Sequence, residues 1–141
     1  MWKVNKADIY QAGETSMNCP FCQPVEPVAS NHLAIAVEDN FPASPGHMLI
    51  IPRRHILTID QATGEEALAL FELLKEVKVI IKDRYGSDGF NIGINEGSAA
   101  GQTVSHLHIH VIPRKKGDVE DPRGGIRRAL PCRHRYPQYS C

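Results

Sequence analysis

His106-Leu107-His108-Ile109-His110-Val111-Ile112-Pro113-Arg114 carries an imidazole at every second position and aliphatic residues between them. Period-two alternation of this kind reads as a half-buried β-strand, here His106 to Ile112. Successive side chains of a strand point to opposite faces, so His106, His108 and His110 share one face while Leu107, Ile109 and Val111 enter the core from the other. At a strand rise of about 3.3 Å per residue, the first and third rings stand about 13 Å apart. Three imidazoles on one rigid strand suit chemistry at neutral pH, where a ring nitrogen can be nucleophile, acid, base or metal ligand.

Outward from this strand, the pattern predicts an α+β domain: a mostly antiparallel sheet with one main helix packed on it. His32 to Val37 and His47 to Ile51 read as short strands, separated by turn chemistry at Glu38 to Pro42 and Ser44 to Gly46. Thr63-Gly64-Glu65-Glu66 is a capping-box pattern opening a helix. Ala67, Leu70, Phe71, Leu74, Val77, Ile81 and Tyr85 then recur at helical spacing, with Gly86 as the stop. Phe90 to Asn95 reads as a strand and Gly97 to Gly101 as a small-residue loop. Residues 1–30 are expected to form a loop-rich arm in which Trp2 and Tyr10 anchor against the core. Residues 115–141 are expected to form a basic, loop-rich tail, docked on a partner subunit.

The bulk properties set bounds. A chain of 141 residues, 42% hydrophobic and 23% charged, has the composition of a single ordinary globular domain. Acidic and basic residues balance at 16 each, so no basic nucleic-acid footprint is present. No apolar run approaches the roughly 18 residues of a membrane span, and the N-terminus lacks the apolar stretch of a signal peptide. Four cysteines are too few for a disulfide scaffold, which favours the cytoplasm and reduced or metal-bound thiols.

Two further features bear on chemistry. Gly101-Gln102-Thr103-Val104-Ser105 runs directly into His106; glycine lets backbone amides approach an anion, and the neighbouring polar side chains add neutral donors. A phosphate held beside the histidines is one reading, a simple turn the other. Cys19 and Cys22 have the two-residue spacing that suits a pair of thiolate ligands on one zinc ion, against a reduced thiol pair. Cys132 and His134 are a weaker rival metal pair.

The stretch from Asn95 to Arg114 resembles the histidine triad (HIT) family of nucleotide hydrolases and transferases. Gly101 to Val104 ahead of the histidines and Pro113-Arg114 behind them resemble the dinucleoside-polyphosphate hydrolase branch, and the segment from Ser44 to His55 matches the family's earlier strand. The resemblance covers roughly residues 19–115; Arg123 to Arg127 also resembles a C-terminal segment of bacterial members. It implies that His108 is the nucleophile, forming a nucleotidyl-histidine intermediate at an α-phosphate that water then hydrolyses. It further implies supporting roles for His110 and His47, phosphate or leaving-group contacts from Thr103 and Gln102 with the amides of the Gly101 loop, and nucleoside contacts from Asp39 and Asn95. Phe41 and Phe21 are base-pocket or plain core aromatics. Arg114, Lys115 and Lys116 are polyphosphate contacts or a solvated charge run. Related proteins hold a structural zinc with a cysteine pair and two histidines, which match Cys19, Cys22, His55 and His106.

The expected substrate is an adenine dinucleoside polyphosphate and the expected assembly a homodimer. Adenosine phosphoramidates or aminoacyl-adenylates are the alternative substrates. A catalytic zinc held by histidines and a nucleotide sensor with little turnover are the competing classes.

Overall fold

The structure, a computed structural model, describes residues 17–130. Trp2, Tyr10, Cys132, His134 and Cys141 lie outside the described residues. Five strands, β1 (Ala29–Ser30), β2 (Ala34–Glu38), β3 (Met48–Pro52), β4 (Gly89–Gly93) and β5 (Ile109–Arg114), form one sheet with a single long helix, α1 (Gly64–Tyr85), between β3 and β4. The sheet order is β1-β2-β3-β5-β4, and every neighbouring pair is antiparallel. This is the expected α+β architecture.

Helix α1 starts where the capping box places it. Thr63 Oγ1 accepts the Glu66 N–H and Glu66 Oε2 accepts the Thr63 N–H, satisfying two amides that a helix end otherwise leaves bare. Arg54 adds a bidentate pair to the Glu66 carboxylate at 2.8 Å per bond, fixing the β3–α1 connection. Gly86, with φ 67°, ends the helix. The buried stripe is Ala69, Leu70, Leu73, Leu74, Val77 and Ile81. Phe71 faces outward, 56% exposed, contrary to the expected stripe; it lies one residue, about 100° of helical turn, beyond Leu70 on the inward line.

Both sheet faces are covered, which is why β3 is buried at every position. On one face Ala34, Ala36, Met48, Ile50, Leu107, Ile109 and Val111 pack on α1. On the other, Ile35, Val37, Leu49 and Ile51 pack with Cys19, Phe21 and Val104. The alternation thus sorts the sequence into a helix side and a side bearing the histidines.

Several boundaries differ from the sequence reading. The paired strand β5 begins at Ile109, so His106 and His108 precede it. Its ladder with β3 ends at the pair Ile50–Ile109. Two residues further on, the same register would bring Pro52 opposite Leu107, and proline has no N–H to offer. The Leu107 N–H goes to the Ile56 carbonyl at 2.6 Å instead. β2 starts at Ala34, not His32, because Asn31 Oδ1 accepts the N–H groups of Leu33 and Ala34 in a local turn. The segment read as arm contains the two-residue strand β1, and β4 stops at Gly93, not Asn95. The described part of the tail packs on its own chain: Arg114 binds Asp118 through two bonds and Asn91 through a third, and Ile126 lies beside Gly93.

Candidate functional site

On the side of the sheet away from α1, His47 just ahead of β3 meets His110 of β5, and His108 and His106 follow in the segment leading into β5. His108 is buried, and its Nδ1 lies 2.8 Å from the His106 carbonyl oxygen. A carbonyl only accepts, so Nδ1 carries the ring proton and Nε2 keeps its lone pair. Burial lowers the His108 pKa, against the raising effects of that carbonyl bond and of the Asp39 carboxylate. His108 is therefore a neutral ring with a fixed tautomer and one free, basic nitrogen, the state required of a nucleophile or base.

His47 and His110 form a second unit, with His47 Nε2 3.0 Å from His110 Nδ1. The Ala43 N–H donates to His47 Nδ1 at 3.0 Å, which puts the His47 proton on Nε2. His47 then donates to His110 Nδ1, leaving the His110 proton on Nε2, available to a ligand oxygen. Asp39 Oδ2 lies 3.4 Å from His47 Nε2. These three residues could be imagined as metal ligands. The Ala43 amide opposes that: ligation through Nε2 would need a proton on Nδ1, facing another N–H. Burial lowers the His47 pKa against the raising effect of Asp39, and burial with the neighbouring His108 and His47 pushes His110 down to about 4. All three rings are neutral at pH 7.

His106 belongs to a different cluster. It is fully buried, its Nε2 donates to the Pro52 carbonyl at 2.8 Å, and its Nδ1 lies 3.4 Å from Cys19 Sγ and 3.5 Å from Cys22 Sγ. His55 Nδ1 lies 3.2 Å from Cys22 Sγ. These four donor atoms all fall within 4.8 Å of one another and could hold a metal ion. A tetrahedral zinc with bonds of about 2.3 Å to sulfur and 2.0–2.1 Å to nitrogen has S–N edges of about 3.5 Å, close to these spacings. The Pro52 carbonyl fixes the His106 tautomer that directs Nδ1 at the thiols, the arrangement usual for a metal-bound histidine. Burial pushes the Cys19 thiol up to about 12 and His106 down to about 4.

The structure distributes the other predicted residues unevenly. Phe21, in the turn between the two cysteines, meets the His108 ring edge-on at 5.0 Å and lines an apolar cleft with Val28, Ile35, Val37 and Ile51. Phe41 is 55% exposed and outside that lining; its N–H binds Asp39 Oδ1. Gln102 Oε1 accepts the Gly97 N–H and its Nε2 donates to the Leu57 carbonyl, so this amide staples the loop before the histidines. Gly101, with φ 85°, closes the short turn Ser98–Ala100. Thr103 is exposed and Asn95 half-buried. The sequence reading missed the Ala43 amide and the Pro52 carbonyl. Both are backbone groups, and no side-chain pattern announces them.

A small α+β domain that sets a row of neutral, oriented histidines beside an apolar cleft defines a nucleophile or acid–base class of site. The chain belongs to the HIT domain family, whose model matches residues 23–117. It is 41% identical over 80 residues to a bis(5'-nucleosyl)-tetraphosphatase (asymmetrical) of Schizosaccharomyces pombe, covering 57% of this chain and 44% of that protein. It is 36% identical over 92 residues to a bis(5'-adenosyl)-triphosphatase of Dictyostelium discoideum, covering 65% of this chain and 62% of that protein. The match thus spans less than two thirds of the length of these two relatives. A Zn-bound histidine triad family protein from Mycobacterium smegmatis superposes with a TM-score of 0.68 at 31% identity, over 76% of this chain and 82% of that one.

Proposed function

We propose that this chain is a nucleotide hydrolase that cuts dinucleoside polyphosphates at the α-phosphate through a covalent intermediate on His108. The observation that carries this is the bond from His108 Nδ1–H to the His106 carbonyl, which leaves Nε2 as a buried, unprotonated nucleophile. The names of the two relatives, a tetraphosphatase and a triphosphatase, support the substrate class.

In the first step the Nε2 lone pair bonds to the α-phosphorus and the bridging P–O bond breaks. The electron pair leaves with the polyphosphate fragment. In the second step water attacks the same phosphorus and releases a proton to solvent, the P–N bond breaks, and its electron pair returns to Nε2. Charge on the phosphoryl oxygens is met by His110 Nε2–H, by Thr103 and by amides of the Gly101 loop. Gln102 holds that loop in place. Asp39 and Asn95 contact the nucleoside, with Phe21 on the cleft wall and Phe41 on the exposed loop beside Asp39. The adenosine phosphoramidate and adenylate alternatives use the same two steps with a different leaving group.

The reading assigns zinc to Cys19, Cys22, His55 and His106. With all four positions taken by protein, the ion supplies folding energy and holds the arm, not Lewis acidity. Thiolate ligands suit a reducing cytoplasm, and no helix among the described residues is long and apolar enough to cross a membrane. The assembly is a homodimer that joins two sheets through edge strand β4. That strand, Gly89-Phe90-Asn91-Ile92-Gly93, carries none of the charges that keep exposed edges apart.

The test is intact-protein mass spectrometry after brief mixing with diadenosine tetraphosphate or, separately, an adenosine phosphoramidate. A transient adenylate adduct is expected in the native chain and absent in His108→Ala, which still binds nucleotide. Undiminished hydrolysis by His108→Ala would remove the covalent mechanism.

A further inference from the structure

Tyr85 is the last residue of α1, distant in sequence from every residue of the site, yet it touches both stems of the loop that carries Asp39 and His47. Its hydroxyl donates to Glu38 Oε1 at 2.8 Å, and Glu38 directly precedes Asp39. Its ring lies under Gly46, which directly precedes His47: a Cβ on Gly46 would stand 2.7 Å from Tyr85 Cδ2 and 2.9 Å from Cγ. Gly46 also has φ 89°, so glycine is required there twice over, by backbone conformation and by the ring.

The rest of the loop is fastened locally. The Asp39 N–H binds the His47 carbonyl at 3.0 Å, the His47 N–H binds the Ser44 carbonyl at 3.0 Å, and Ser44 Oγ donates to the Pro113 carbonyl at 2.8 Å. Those bonds set the loop's shape and tie its tip to β5. Tyr85 alone among these contacts reaches the loop's two ends from the helix.

We propose that Tyr85 is a positioning residue that sets Asp39 through its hydroxyl and His47 through its ring; this rests on the catalytic reading above. The His47 tautomer depends on one bond from the Ala43 N–H, and a displacement of about 1 Å would break it, a misplacement that in active sites costs up to roughly 100-fold in rate. The two contacts separate by variant. Tyr85→Phe loses the hydroxyl bond to Glu38, the residue before Asp39, and keeps the ring under Gly46. Tyr85→Leu loses both.

The experiment compares these two variants and the native full-length chain at one pH. Three quantities are read: AMP affinity by calorimetry, kcat on diadenosine tetraphosphate, and the ¹⁵N shifts of the His47 ring, which report its tautomer. Ile81→Val, a buried change one turn back on the same helix, controls for a general loss of stability.

Tyr85→Phe is expected to weaken AMP binding by roughly threefold or more, with kcat within about twofold and the His47 shifts unchanged. Tyr85→Leu is expected to lower kcat by roughly tenfold or more and to replace the single Nε2–H tautomer of His47 with a mixture. Ile81→Val should move neither. If Tyr85→Leu keeps the native His47 shifts and AMP affinity, or if Ile81→Val reproduces its effects, the positioning role is overturned. If the native chain hydrolyses nothing while the shifts and the AMP affinity respond to Tyr85 as expected, the catalytic reading fails and the positioning of the loop stands.

Discussion

Removing the zinc proposed at the Cys19, Cys22, His55 and His106 cluster should release the arm that precedes β1 and lower the melting temperature by roughly 10 °C. The arm from Met17 to Gln23 buries little besides Cys19 and Phe21. Burying a phenylalanine contributes about 1.5–3 kcal/mol, whereas ordering seven residues costs about 1–2 kcal/mol of backbone entropy each. Apolar contact is therefore too small to hold the arm, and a structural zinc, at about 10–16 kcal/mol apparent, is large enough.

The net stabilisation seen in a melt depends on free zinc. At 100 times the dissociation constant it is about 2.7 kcal/mol, and for a domain of this size each kcal/mol moves the midpoint by about 3–4 °C. The assay pairs elemental analysis with thermal melts and amide exchange, with and without a strong chelator. Native protein should carry about one zinc per chain, and chelation should lower the midpoint and expose the amides of 17–23. Cys19→Ser should show the low midpoint from the start and be indifferent to chelator. A metal-free chain with an unchanged midpoint and a protected arm would refute the reasoning, as would Cys19→Ser that retains its zinc.

Because burial lowers the pKa of His47, His108 and His110, the last to about 4, kcat/KM should stay level as pH falls through the usual histidine value of 6.5; a fall centred near 6.5 would mean that these rings are not held neutral. The stability effect has the same origin: the folded pKa values lie below the unfolded ones, so the unfolded chain takes up protons first and stability declines from about pH 6.5 toward 4. Sedimentation at micromolar concentration should give twice the chain mass of 15.7 kDa, lowered by a lysine introduced at Ile92 of the β4 edge; a monomer mass for the native chain would remove the proposed dimer.

Sequence alone went far here because each strong local signal agreed with its neighbours. The Thr63–Glu66 box and Gly86 bracket α1 within a residue, since capping and helix termination are local chemistry. Period-two alternation at His106 to Val111 sorted histidines from aliphatics onto opposite sides of the sheet, because side-chain direction depends only on extended backbone. The resemblance gathered Cys19, Cys22, His55 and His106 into one ligand set, and those side chains do meet in space.

What the sequence could not supply is what distant backbone decides. The paired part of the histidine strand starts at Ile109 because Pro52, on another strand, ends the ladder. The proton positions on His108, His47 and His106 are set by the His106 carbonyl, the Ala43 amide and the Pro52 carbonyl, none of which has a signature in the residue string. Phe21 was one of two equivalent aromatics until the fold put it against His108 and left Phe41 in the open. Residue types thus determined which chemistry this chain can perform. Only tertiary contacts, which join groups far apart in the chain, decided which nitrogen of each ring is free to perform it.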